Sequence, residues 1–272
     1  MKHLKSFFLI LMVFITTFGF VSCGRNAYDD KNKIPVTGLS SEEIEGAAGV
    51  ERDGDVINSP YYVTLDFFNM KSSKTLTILE NFKTYQQTTE WTCGPASILM
   101  VMEYLGVRGD YNDIMLADLR EKPRGGATNL RQMINIFDNF SAAESVNFNL
   151  YTTYELEELD RDVIRNGDRS EAVYTSNAIE ENYLLNNLKN GIPTIIGWDD
   201  WGGHYTVVIG YDTLGTETTA DDILIIADPY DTTDHCQDGY VIQSFERLYY
   251  NWKNTFDPVF KNNVFLTVSL AD

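Results

Sequence analysis

The chain is poor in the residues that build cross-links and positive surfaces. It has three cysteines and three histidines in 272 residues. So few cysteines make no disulfide framework, and the fold must rest on an apolar core. Only Cys93 and Cys236 remain once Cys23, near the N-terminus, is set aside, and an oxidising compartment could join them only to each other. Basic residues are also scarce, 21 against 40 acidic, for a net charge of −19. Such a surface repels nucleic acid and anionic lipid, so no nucleic-acid partner is expected. There is no internal repeat and no low-complexity block. The N-terminal apolar run, residues 7–20, is shorter than the roughly 20 residues of a comfortable membrane span. The one mixed group, Asp231 to Asp238 with His235 and Cys236, lacks the paired spacing of a zinc site. It reads as a loop, and no metal or other cofactor is expected.

The N-terminus carries a targeting pattern. Lys2 and Lys5 precede the apolar run, which breaks at Val21, Ser22, Cys23 and Gly24. A basic start, a short apolar centre and small residues before a cut describe an export signal over residues 1–22. Cys23 just after the cut resembles a bacterial lipobox, in which that cysteine is lipidated, although Phe20 stands where leucine is usual. An ordinary cleaved signal and an uncleaved anchor are the alternatives. Loss of residues 1–22 removes two lysines and leaves 19 basic against 40 acidic residues, a net charge of −21. Residues 23–59 are polar and acidic without apolar periodicity, which predicts a tether. As a flexible coil it would span roughly 30–35 Å. Residues 60–272 then form one domain, held outside the cytoplasm on a bacterial membrane or secreted.

Within that domain, residues 61–68 and 75–79 read as strands, rich in β-branched and aromatic side chains, that would pair as a hairpin. Residues 96–105 are almost wholly apolar and read as a buried central helix. Residues 111–119 and 129–137 read as helices, and 147–152 as a strand. Residues 177–188 read as a further helix. Strands follow at 193–198, 205–211 and 223–227, with a late helix at 245–252 and a last strand at 264–269. Helices first and an antiparallel β-sheet second is an α+β layout.

The chemistry-bearing run is Gln86, Gln87, Thr88, Thr89, Glu90, Trp91, Thr92, Cys93, Gly94, Pro95, Ala96, Ser97. Pro95 suits the first turn of a helix, and Gly106 suits its end. Cys93 therefore lies at the positive end of the helix dipole beside free N–H groups, which favours the reactive thiolate. A small buried residue capping a core helix is the bland alternative for Cys93. Downstream come Gly202, Gly203, His204, Tyr205 and then Asp228, Pro229. Gln, Cys, His and Asp in that order point to a cysteine nucleophile of the papain type. His204 would take the thiol proton and give it to the leaving amine. Asp228 would fix the imidazole, unless it merely caps the turn before Pro229. Gln87 would donate its amide N–H to the developing oxyanion, with the Cys93 N–H as second donor. Gln86 is the alternative, although alternation points the two opposite ways. Gly203 would let substrate backbone approach. Trp91, Trp198 and Trp201 flank nucleophile and base as substrate walls or as core.

These residues, with Gly210-Tyr211-Asp212, resemble the papain-like clan. They are most similar to standalone relatives of the bacteriocin-processing, double-glycine leader peptidases, over roughly residues 83–230. The resemblance implies a central nucleophile helix packed on a C-terminal antiparallel sheet. It also implies a thiol peptidase acting on a peptide or protein through Cys93, His204, Asp228 and Gln87. Amide transfer on the same site, and a surface binding lipoprotein that kept the fold, are the alternative readings. The sequence carries no reading of the oligomeric state.

Overall fold

The computed structural model describes residues 32–50, 65–154, 184–199, 202–232, 237–252 and 263–271. Cys23, Trp201, His235 and Cys236 lie outside the described residues, as do residues 177–183 of the helix expected over 177–188.

The first strand, β1, is Leu76–Ile78, followed by helices α1 (Cys93–Tyr104), α2 (Asp113–Asp118) and α3 (Leu130–Glu144). Next come β2 (Phe148–Thr152), α4 (Leu185–Lys189), β3 (Thr194–Trp198), β4 (His204–Asp212) and β5 (Ile223–Ala227). The remaining elements are β6 (Tyr240–Ser244), α5 (Phe245–Trp252) and β7 (Val264–Leu270). One antiparallel sheet runs β2-β7-β3-β4-β5-β6, with β1 also paired to β4. The first half of β4 pairs with β3, and its last three residues pair with β1. The expected α+β class, with the nucleophile helix packed on a C-terminal antiparallel sheet, is the one observed.

Helix α1 is buried from Cys93 through Met102, as its unbroken apolar sequence requires. It has no polar stripe because β4, α2 and α3 all pack against it. Its end is a Schellman motif. Gly106, at φ 74°, donates to Glu103, and Val107 donates to Met102. Helix α3 opens with a reciprocal capping box between Asn129 and Gln132 and buries Leu130, Met133, Ile136, Phe137 and Phe140, one face of a 3.6-residue period.

Two expectations are corrected. Residues 67 and 68 of the strand expected over 61–68 lie in a 3-10 turn, Phe67–Asn69, capped by Asp66, residues 61–64 lie outside the described residues, and β1 pairs with β4. Phe67 fills the core from the turn, so apolar content alone does not fix the local geometry. The tether expected over 23–59 is docked over residues 32–50. Ile34 and Ala47 are buried there, and backbone hydrogen bonds join the segment to Thr84, Gln87 and Thr88. Backbone pairing of this kind needs no apolar periodicity, so a polar sequence does not exclude it.

Candidate active site

Cys93 is the first residue of α1. Its residue surface is 8% exposed. Gly94 follows because there is no room for a side chain. A Cβ there would meet Met133 Sδ at 2.7 Å, Thr128 Cβ at 3.3 Å and Tyr205 Cδ2 at 3.4 Å. The helix is pinned to the sheet by Ser97, whose Oγ donates to the Tyr205 carbonyl at 3.1 Å. Tyr205 is the neighbour of His204, so one hydrogen bond sets helix α1, with Cys93, against the strand that carries His204.

His204 opens β4 after Gly202 and Gly203, at φ 93° and 117°. Both glycines sit where a side chain would be strained. Strands β4 and β5 are neighbours, with Val207 opposite Ala227, so Asp228 emerges beside His204. The His204 Nε2–Asp228 Oδ1 distance is 2.7 Å, with side chains 12% and 9% exposed. Asp228 Oδ1 also accepts the Tyr230 N–H at 2.8 Å. The Asp228 N–H donates to the Gly239 carbonyl at 2.9 Å. Burial opposes charge on the imidazole. The Asp228 charge, its hydrogen bond and then Cys93 outweigh burial and hold the ring well above the ordinary histidine pKa. Since Nε2 is engaged by Asp228, Nδ1 is the nitrogen left for the thiol. Cys93, His204 and Asp228 thus meet from three separate elements.

A model of the Peptidase_C39-like family matches residues 79–256. The chain belongs to this family. Solved structures similar to it include the peptidase domain of Streptococcus ComA, a bifunctional ABC transporter of a quorum-sensing pathway. That match is 18% identical, covers 70% of this chain and 98% of the other, and has a TM-score of 0.39. A C39-like peptidase from Bacillus anthracis is 15% identical over 71% of this chain and 97% of its own, with a TM-score of 0.42. UfSP from C. elegans is 15% identical over 74% and 35%, with a TM-score of 0.36. No curated protein matches the sequence.

Within the Peptidase_C39-like domain, the two glutamines lie outside the strands and their side-chain amides meet different partners. Gln87 is buried, and its Nε2 donates to the Thr89 carbonyl at 2.6 Å. Gln86 is partly buried, and its Nε2 reaches the Asp228 carbonyl at 3.5 Å. The Gln87 amide is therefore engaged within its own loop, while that of Gln86 lies on the Asp228 side. Trp198 is buried in the core and pairs across the sheet with His204. Trp91 is partly exposed, and its ring packs against the guanidinium of Arg120.

Two residues without a functional signal in the sequence stand close to Cys93. Asp113, 0% exposed, accepts hydrogen bonds from Tyr85 Oη at 3.0 Å, the Thr88 N–H at 2.8 Å, Thr88 Oγ1 at 2.8 Å and Thr92 Oγ1 at 2.7 Å. One carboxylate thereby gathers the loop between the glutamines and Cys93. Burial and the charge of Asp113 raise the Tyr85 pKa, keeping that phenol a donor. Arg120 is also 0% exposed. Its Nε donates to the Ala117 carbonyl, and its Nη1 donates to Gly126 O and Thr128 Oγ1. Its Cζ lies 4.7 Å from the Trp91 ring centroid. Its Nη2 has no hydrogen-bond partner among the described residues. Burial lowers the guanidinium pKa, against Asp118 and Cys93, which raise it. Asn112-Asp113 looks like a plain helix cap in the sequence, and Arg120 sits in a charged run that looks solvated. Neither carries a local signal of burial.

Proposed function

We propose that this chain is a thiol-dependent peptidase that cleaves peptide or protein substrates at Cys93. The observation that supports this reading most is the Cys93–His204–Asp228 arrangement. A buried imidazole is bound at 2.7 Å to a carboxylate and faces a thiol at a helix N-terminus. The Cys93 sulfur adds to the scissile carbonyl carbon, and its proton resides on His204. The carbonyl oxygen becomes an oxyanion, met by the Cys93 N–H and by an amide of the Gln86–Gln87 pair. The C–N bond then breaks, His204 gives its proton to the departing amine, and a thioester to Cys93 remains. Water, deprotonated by His204, releases the acid and restores the thiol. Asp228 orients the ring throughout. Trp91 and Gly203 border this centre, and substrate contacts there belong to the same proposal.

The reading includes export and lipidation at Cys23, after cleavage of residues 1–22. With Asn32 docked, the chain from Cys23 to the folded body can extend at most about 30 Å. Mass spectrometry of the mature N-terminus tests this, and an unmodified N-terminus that begins elsewhere contradicts it. The activity is tested by incubating the purified protein with a diverse peptide library and identifying new termini. Cleavage by wild type and none by Cys93→Ala is the expected result. Identical product sets, or no products from either protein, would remove the reading.

A further inference from the structure

The docked segment 32–50 lies before the first residue matched by the family model, yet its contacts converge on the active-site loop. At its start, the Thr84 N–H donates to Asn32 O at 3.0 Å and the Ile34 N–H donates to Thr84 O at 2.8 Å. Farther on, the Glu45 and Gly46 N–H groups both donate to Thr88 O at 2.8 Å, and the Ala48 N–H donates to Gln87 O at 3.0 Å. Gln237 Nε2 donates to Ala47 O at 2.8 Å, and Lys33 Nζ donates to Gln237 O at 3.0 Å. The approach is too close for a side chain. A Cβ on Gly46 would lie 2.7 Å from both Gln87 O and Thr89 N.

The far side of the same loop is held by the catalytic half of the domain. The Gln87 N–H donates to Pro229 O at 2.8 Å, and the Thr88 N–H donates to Asp113 at 2.8 Å. Every backbone polar group of Gln87 and Thr88 is thus engaged, although neither residue is in a helix or strand. Both residues are buried, so the two carbonyls need partners, and among the described residues the N-terminal segment supplies all their backbone donors. We infer that residues 45–48 act as a backbone clamp, a positioning element that fixes the Gln86–Thr88 loop so that its amide meets the oxyanion formed at Cys93. The inference rests on the peptidase reading. Misplacing a catalytic group by about 1 Å costs on the order of 10²-fold in rate, so the clamp acts on carbonyl addition and leaves the thiol itself alone.

The test uses the full-length chain and two reactions of Cys93, with the background from Cys23 and Cys236 subtracted through Cys93→Ala. Iodoacetamide alkylates the thiolate, forming a C–S bond as iodide leaves, with no oxyanion. p-Nitrophenyl acetate acylates it. The sulfur adds to the carbonyl, an oxyanion forms, and p-nitrophenolate leaves as the C–O bond breaks. Gly46→Val drives a side chain into the Gln87–Thr89 backbone. It should leave alkylation within about twofold and slow acylation at least tenfold, with Gly46→Ala between it and wild type. Equal changes in the two rates, or no change in either, overturn the clamp. Should Gly46→Val lack a folding transition, Ala48→Pro, which deletes the N–H to Gln87 O, must show the same split or the clamp is rejected. Acylation of Cys93→Ala at the wild-type rate would instead defeat the peptidase reading, so the two failures are distinguishable.

Discussion

Replacing Asp113 by asparagine tests whether a buried carboxylate organises the nucleophile loop. Asp113 Oδ2 takes the Thr88 N–H at 2.8 Å and Thr92 Oγ1 at 2.7 Å, while Oδ1 takes Tyr85 Oη at 3.0 Å. An asparagine keeps one oxygen and turns an NH₂ group toward the donors of the other. At least two buried donors then lose their acceptor, at about 1–3 kcal/mol each. The expected loss is about 2–6 kcal/mol, a large part of the 5–15 kcal/mol typical of a folded domain. Urea unfolding of wild type and Asp113→Asn measures it. Thr92→Val, which removes one donor and leaves the carboxylate its others, should cost about 1 kcal/mol. Because Thr92 precedes Cys93 and Thr88 follows the glutamines, Asp113→Asn should also slow peptide cleavage under conditions where it remains folded. A loss below about 1 kcal/mol with unchanged cleavage would refute the reasoning.

Gln86→Ala and Gln87→Ala separate the two candidate amide donors. The oxyanion donor's variant should lose about 10²–10³ in turnover with little change in Cys93 alkylation, and wild-type turnover in both variants would show that neither amide serves. Arg120→Gln removes a buried positive charge that acts on Cys93 and packs on Trp91, so alkylation of Cys93 should slow relative to wild type. An alkylation rate equal to that of wild type would leave Arg120 a packing role alone. His204 is held above its unfolded-chain value near 6.5, so its ion pair adds stability that is fully present below about pH 6.5. That stability is lost as pH rises through the raised folded value. The melting-temperature gap between wild type and Asp228→Asn should therefore be widest near pH 6 and shrink toward pH 9, and a gap that widens with pH would contradict the assignment.

The elements with strong local patterns are legible in the sequence. The apolar run after Cys93 specifies a buried helix, Gly106 marks its end, and the β-branched runs after residue 192 match β3, β4 and β5 close to their observed bounds. The alternation read from the sequence points Gln86 and Gln87 opposite ways, and their amides do meet different partners, although neither residue lies in a strand. Cys93, His204 and Asp228 stand out because each sits at the edge of a readable element: a helix start, a strand start after two glycines, and a strand end before proline. The features without a sequence signal depend on long-range backbone pairing or on burial of polar residues. Residues 32–50 look like a solvated linker because their hydrogen bonds come from main chain, which has no sequence signature. Asp113 and Arg120 are charged residues in polar surroundings, and only the folded packing of α2 against the nucleophile loop takes them out of water. β1 is legible in place but not in partner, because its pairing with β4 joins residues more than 130 positions apart.

The pH dependence of Cys93 alkylation in wild type and in His204→Ala, read by mass spectrometry of the Cys93 peptide, tests the central claim most directly. If His204 carries the thiol proton, wild-type alkylation at pH 6 should stay within a few-fold of its rate at pH 8. In His204→Ala the rate should fall roughly a hundredfold over the same interval, as for an unassisted thiol titrating near 8.5. Superimposable profiles for the two proteins would contradict the account.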